Sequence, residues 1–324
     1  MTTTDRRAPA VAATGRTGAW LLAAAPPTRL AVLRVLIGGY CVIRLVSTAP
    51  SLIQLTDLPA EQFAPVGILS WLGHPPAAAL VVGALVMAMA SGVAFVAGWR
   101  WRLSGPTFAL LFFALSTYRV SWGHVSHADH LPALQLLLCG LVPAADAWSL
   151  DARRRRRPPG GADLRYGWPV RVLALLTVVT YVLAGVAKLR YGGVGWLNGD
   201  VLRNQVATDA LQKTLLGATS SPLSGWVANH GGVLAPVAIA ALAVELGAPV
   251  ALIGGRWRDA WVVAAWLFHV GIAAVMAITF PYPLSLVAFA PFYEVERAVP
   301  ALGRVWRRRV AGAPAEPKPP ISEA

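Results

Sequence analysis

The stretch PVRVLALLTVVTYVLAGVAKL, residues 169–189, decides what kind of protein this is. Between Arg171 and Lys188 it carries no charge at all. It is long enough to cross a bilayer, which takes about 20 mostly apolar residues. A helix that is apolar all round has no face for water. Working outward from it, similar runs occupy residues 28–49, 77–98, 104–123, 129–146, 232–254, 259–280 and 282–297. The last is short and aromatic, which suits a re-entrant or interfacial segment. The fold class expected is an all-α integral membrane protein, a polytopic bundle of about eight transmembrane helices over residues 28–300. Composition agrees, with 56% hydrophobic and 13% charged residues, against about 25% charged in soluble domains.

Residues 1–27 are rich in Ala, Thr, Pro and Arg, and their apolar stretch 19–25 is too short to span. They are expected to form a disordered cytoplasmic arm rather than a cleaved leader. Residues 301–324 read as a basic, Pro/Ala-rich cytoplasmic tail.

The net charge of +13 is topological. Arg6, Arg7 and Arg16 precede the first run, Arg100 and Arg102 follow the second, and Arg153–Arg157 follow the fourth. Arg256 and Arg258 follow the sixth, and Arg304 with Arg307–Arg309 follows the eighth. Eight crossings put every cluster on the side of the N-terminus, and positive loops are cytoplasmic. The expectation is a multi-pass protein of the plasma membrane with both termini cytoplasmic. Basic residues that flank apolar runs speak against nucleic acid as a partner and for the lipid bilayer. The outer face then receives residues 50–76, 123–130, 190–231 and a turn near Pro281–Pro283. Trp196, Asp200, Arg203 and Trp226 in the longest of these suit an interfacial half-helix or a cap over a cavity.

Polar groups inside a bilayer are costly and mark function by default. Only Lys188, Lys213 and Lys318 are lysines among 28 basic residues, so Lys188 at the end of a span stands out. A desolvated lysine can become a neutral base, which arginine cannot. Tyr181, Gly185 and Lys188 share one helical face at i, i+4 and i+7. The plain alternative is a lysine that snorkels to the headgroups. His124, His127 and His130 lie at a spacing of three around Asp129, which fits interfacial hydrogen bonding better than metal ligation. No metal is expected. Glu245 and His269 fall near the middle of their runs. They suit a structural pairing of Glu245 with Arg34, Arg44 or His269, or equally a proton relay. Cys41 and Cys139 form no CxxC pair, and there is no Walker loop, HExxH or GxSxG.

Four segments in order carry a family resemblance. They are Ser121-Trp122 with Leu134-Gln135-Leu136 and Ala145-Asp146-Ala147-Trp148-Ser149-Leu150-Asp151; Ala184-Gly185-Val186-Ala187-Lys188-Leu189 with Trp196 and Gly199; His230-Gly231-Gly232; and Phe268-His269. Together they resemble the HTTM (horizontally transferred transmembrane) domain, similar to the membrane part of vitamin K-dependent gamma-carboxylases. The resemblance implies a quinol cavity near the outer face, with menaquinol or vitamin K hydroquinone as cofactor. In it Lys188 would be the base and His269 would lie beside the reaction. His124, His127, His230, Trp196 and Tyr181 would line the cavity, and Arg34, Arg44 and Glu245 would be structural. The chain departs from the family pattern in having Ala187 before Lys188 and Val125 where a histidine follows Ser-Trp. The carboxylases also carry a large luminal region after the membrane part, so a separate soluble or peptide partner is implied here. The expected function is quinol-linked base chemistry, carboxylase- or epoxidase-like. The alternatives are a non-enzymatic quinone- or lipid-binding or accessory/immunity protein, or a proton or solute carrier.

Overall fold

The structure, a computed structural model, describes residues 16–123, 126–155 and 160–298. The helices in chain order are α1 Arg16–Leu21, α2 Pro27–Gln54, α3 Ala78–Ala97, α4 Trp101–Val120, α5 His130–Leu141, α6 Leu150–Arg155 and α7 Leu164–Gly192. There follow α8 Val194–Leu197, α9 Asp200–Leu215, α10 Pro222–Asn229, α11 Leu234–Leu246, α12 Gly255–Met276 and α13 Pro281–Leu284. Four of the segments are long and apolar enough to cross a membrane: Pro27–Asp57, Ala78–Ala97, Leu164–Gly192 and Gly255–Met276. A fifth is added if α10 and Gly231–Leu246, bent by 91°, count as one span. The protein is therefore all-helical with four to five candidate membrane spans among the described residues.

The count differs from the eight runs for local reasons. The run expected at 104–123 is helical as α4, but that helix begins at Trp101 and carries Arg102 and Arg119 near its ends. The run at 129–146 is helical only over α5, because Val142 turns extended before Pro143. The run at 282–297 holds Pro283 and Pro291 and breaks into α13 and the 3-10 segments Val287–Phe292 and Val295–Arg297. Proline removes a backbone donor and crowds the preceding turn. Residues 16–27, expected to be disordered, include the turns of α1 and a backbone bridge from Ala25 to Asp163. Residues 1–15 and 301–324 lie outside the described residues.

Two packed groups divide the chain. In the first, α2, α3, α4 and α5 surround a core that includes Leu33, Ile37, Phe95, Phe108, Phe112 and Leu136. The backbones of α4 and α5 come close at Gly105 and Gly140. A Cβ on Gly105 would lie 2.7 Å from the Gly140 carbonyl oxygen. Small residues at such crossings are the usual device of membrane helix packing. In the second group, α7, α11 and α12 enclose Val178, Tyr181, Trp261, Ala265 and Phe289. Between the groups, Gln135 on α5 donates to the Leu173 carbonyl and to Thr177 Oγ1, both at 3.0 Å, and accepts from Tyr282. The outward faces of the long helices are apolar, with Ile43, Leu80, Leu110, Leu183 and Val263 all exposed. So broad an apolar surface suits lipid rather than water.

Contacts sort the connections into two ends. At one end Ala25 bridges Asp163, Asp151 caps the Arg100 and Trp101 amides, Arg29 pairs with Glu294 and Glu296, and Arg258 meets the Phe292 carbonyl. At the other end Arg44 and Arg119 meet Asp129, Ala64 pairs with Ser121, and Ser221 and Ser224 reach the Ala274 and Val275 carbonyls. The arginine clusters Arg100/Arg102, Arg153–Arg155 and Arg256/Arg258 fall in connections at the first end, while Arg190 and Arg203 belong to the other.

Candidate functional site

α7 carries the face on which the site is built. Tyr181, Gly185 and Lys188 turn together toward α11 and α12. Gly185 lets α11 approach closely, since a Cβ there would lie 2.8 Å from Leu246 Cδ2 and 3.1 Å from Glu245 Cβ. That approach sets Lys188 Nζ in a salt bridge with Glu245 Oε1. The pair has apolar walls: Nζ lies 5.5 Å from the ring centres of both Trp196 and Phe268. Glu245 is 3% exposed, and the Lys188 side chain 26%. Lys188 is thus half-sheltered and its partner is deep.

One helical turn or two below, Tyr181 Oη and His269 Nε2 are 2.8 Å apart. Trp261, Ala265 and His269 present one face of α12 at i, i+4 and i+8. Trp261 stands edge-on to Tyr181 with ring centres 5.1 Å apart, and its Nε1 donates to the Val244 carbonyl at 2.9 Å. This fixes α11 against α12 just before Glu245.

Three buried polar atoms around the pair have no hydrogen-bond partner among the described residues: Glu245 Oε2, His269 Nδ1 and Trp196 Nε1. Native interiors leave few such atoms. Six more lie elsewhere among the described residues, and these three come from α8, α11 and α12. An apolar-walled place with several convergent polar handles is the general form of a small-molecule site.

The remaining sequence candidates separate. His127 lies beside Phe280 at 5.3 Å between ring centres, and Phe280 lies 5.2 Å from His269, so His127 joins the site through Phe280. Burial pushes the His127 imidazole below its usual range, with Lys188 adding to the effect. His124 lies outside the described residues. His230, expected to share the cavity, is instead exposed and stacks on Trp226 at 4.4 Å, with Nδ1 2.8 Å from the Trp226 carbonyl. The cause is its place at the end of α10, where it folds back on its own helix. Among the described residues no three His, Cys, Asp or Glu side chains are grouped for a metal.

The pairing expected for Glu245 is corrected. Arg34 is fully buried but donates to the Ala144 and Trp148 carbonyls at 2.9 and 2.7 Å. Arg44 binds Asp129, which also takes Arg119. Both arginines serve the first packed group, and Glu245 belongs to Lys188. The sequence reading also passed over Phe280, Trp261 and the hub role of Asp129. The signals available were the α12 spacing from Trp261 to His269 and an acid, Asp129, that follows Arg119 closely in the chain.

Compared with known proteins, residues 23–296 match the family model described as HTTM domain. No curated protein and no solved structure matches the chain.

Proposed function

The chain belongs to the HTTM domain family, and from that premise we propose that it binds a hydroquinone beside Lys188 and Glu245 and removes a proton from it. The observation that carries this is the buried Lys188–Glu245 pair with unpartnered Glu245 Oε2, His269 Nδ1 and Trp196 Nε1 around it. A hydroquinone, when bound, supplies an acidic hydroxyl and two reducing electrons. Glu245 Oε2 is the acceptor for one proton. Lys188, in contact with the acid, offsets negative charge that develops beside it, so the base is the Lys188–Glu245 pair rather than the lysine alone. Tyr181 holds His269 by its Nε2. When the tyrosine donates, Nδ1 carries the ring proton and is a donor toward the same place. Trp196 Nε1 is a second donor, and Phe268 and Phe280 keep water out. The outcome would be of the carboxylase- or epoxidase-like kind. Oxygen would be the oxidant in both, ending in the quinone epoxide and water. Carbon dioxide would enter only in the carboxylase-like case, as the group that replaces a proton on a peptide substrate supplied by a separate partner.

The test supplies menaquinol, oxygen and bicarbonate to the purified protein. Lys188→Ala and Glu245→Gln are each expected to lower quinol turnover by a hundredfold or so, as for loss of a general base. Unchanged turnover in either variant rules the mechanism out. A second reading, binding without turnover, is favoured by the way Glu245 satisfies the Lys188 charge with no ligand at all. A retained quinone that is never turned over supports it.

The topology proposed is eight passages through the plasma membrane with both termini cytoplasmic. The arginine clusters gathered at one end support it, since such loops stay inside. α4 with its two arginines, the short α5 and the broken segment 281–297 would be the passages that do not stand as spans by themselves. Single cysteines at residues 153 and 215 check it. The first is expected to be labelled only from the cytoplasm and the second only from outside, and the reverse pattern rejects the orientation.

A further inference from the structure

An open-sided cavity of about 150 Å³ lies at the arginine-bearing end, away from Lys188. Its walls include Trp20, Arg29, Arg171, Arg258, Tyr293 and Glu294. Three arginines in one small cavity need an account of their charge. Arg29 pairs with Glu294 and Glu296, Arg258 with Asp259, and Arg297 with Glu294. Those acids match those three cations. Arg171 is left over: it donates Nη1 to the Gly167 carbonyl at 3.1 Å, and its Nε is buried without a partner. No carboxylate pairs with it among the described residues. Its guanidinium lies 5.7 Å from the Trp20 ring centre, and Arg258 lies over Tyr293 at 4.1 Å. Arg171 is thus held in place by a ring and a carbonyl, not by an acid of its own.

We propose that this cavity binds a phosphate oxyanion, with Arg171 as the residue that holds it. The charge argument sets the class. One uncompensated guanidinium, with a fork that fits phosphate geometry, complements a single negative charge. The place argues for a lipid headgroup as the source. Trp20 and Tyr293 sit where α7 and α12 enter the apolar zone, and basic pockets between membrane helices on the cytoplasmic side take anionic lipids. A zwitterionic headgroup already carries its own cation and gains less from Arg171. This site is independent of the quinol reading and stands or falls without it.

The test uses the full chain in a nonionic detergent, with phosphatidylglycerol, phosphatidylcholine and inorganic phosphate as separate probes. Bound lipid is counted by native mass spectrometry, and phosphate by its effect on the unfolding temperature. One phosphatidylglycerol is expected to be retained in preference to phosphatidylcholine. Arg171→Gln is expected to weaken it roughly tenfold or more, the effect of one charge-assisted contact. Ala174→Phe fills the cavity without touching a charge and is expected to do the same, so it decides the matter should Arg171→Gln not fold. Arg256→Gln, at the same end but outside the cavity, is expected to change nothing. Stabilisation by inorganic phosphate that Arg171→Gln abolishes also supports the site, with a soluble source. Wild-type phosphatidylglycerol and phosphate binding in Ala174→Phe, or an equal loss in Arg256→Gln, overturns it.

Discussion

The two packed groups treat their buried acid in opposite ways. In the α2–α5 group, Asp129 is held through both oxygens by Arg44 and Arg119. In the α7–α11–α12 group, the Lys188–Glu245 pair leaves Glu245 Oε2 open and has His269 Nδ1 and Trp196 Nε1 open beside it. Both groups face the same physics, in which a charge within the membrane is expensive. An acid with both oxygens bound serves to fix helices, whereas the open oxygen of Glu245 is the atom that the proposed binding would use.

The contrast can be broken by substitution. Asp129→Ala leaves two guanidiniums without their acid and is expected to cost about 3–5 kcal/mol, the range for breaking a buried ion pair. An unfolding titration in mixed micelles reads it. The double change Lys188→Met with Glu245→Leu should act with the opposite sign. Replacing a buried pair by apolar side chains often stabilises by about 1–4 kcal/mol, and here it also removes an open oxygen. A large loss of stability in the double variant would mean that the pair is scaffold too. Gly140→Val forces α5 from α4 and is expected to cost about 1–3 kcal/mol, as overpacking does, with ligand binding intact. Tyr181→Phe has the smallest expected effect on stability, about 0.6 kcal/mol as for an average hydrogen bond between membrane helices. It should still lower turnover, because His269 loses its anchor.

Much of the scaffold was legible because length and apolarity act locally. The runs that became α2, α3, α7 and α12 needed no partner to be recognised. The sidedness of the arginines was legible for the same reason, since each cluster lies next to its helix. The broken end at 281–297 was half-legible: its shortness showed, but the breaks depend on where Pro283 and Pro291 meet α7 and α12. The site was legible by residue and not by pairing. Lys188, Tyr181, Trp196 and His269 stood out as chemistry, and the α7 spacing put two of them on one face. That Glu245 would meet Lys188 rather than an arginine depends on α11 closing on Gly185, a contact between residues far apart in the chain. His230 misled because its motif sits close in sequence to α11, while its ring folds back on Trp226.

The most direct measurement is equilibrium binding of menaquinone to the purified chain and to the Lys188→Met, Glu245→Leu variant. Saturable binding by the unaltered protein, weakened at least about tenfold in a variant that remains folded, is the expected result. Equal affinity in the two would contradict the assignment of Lys188 and Glu245 to the binding site.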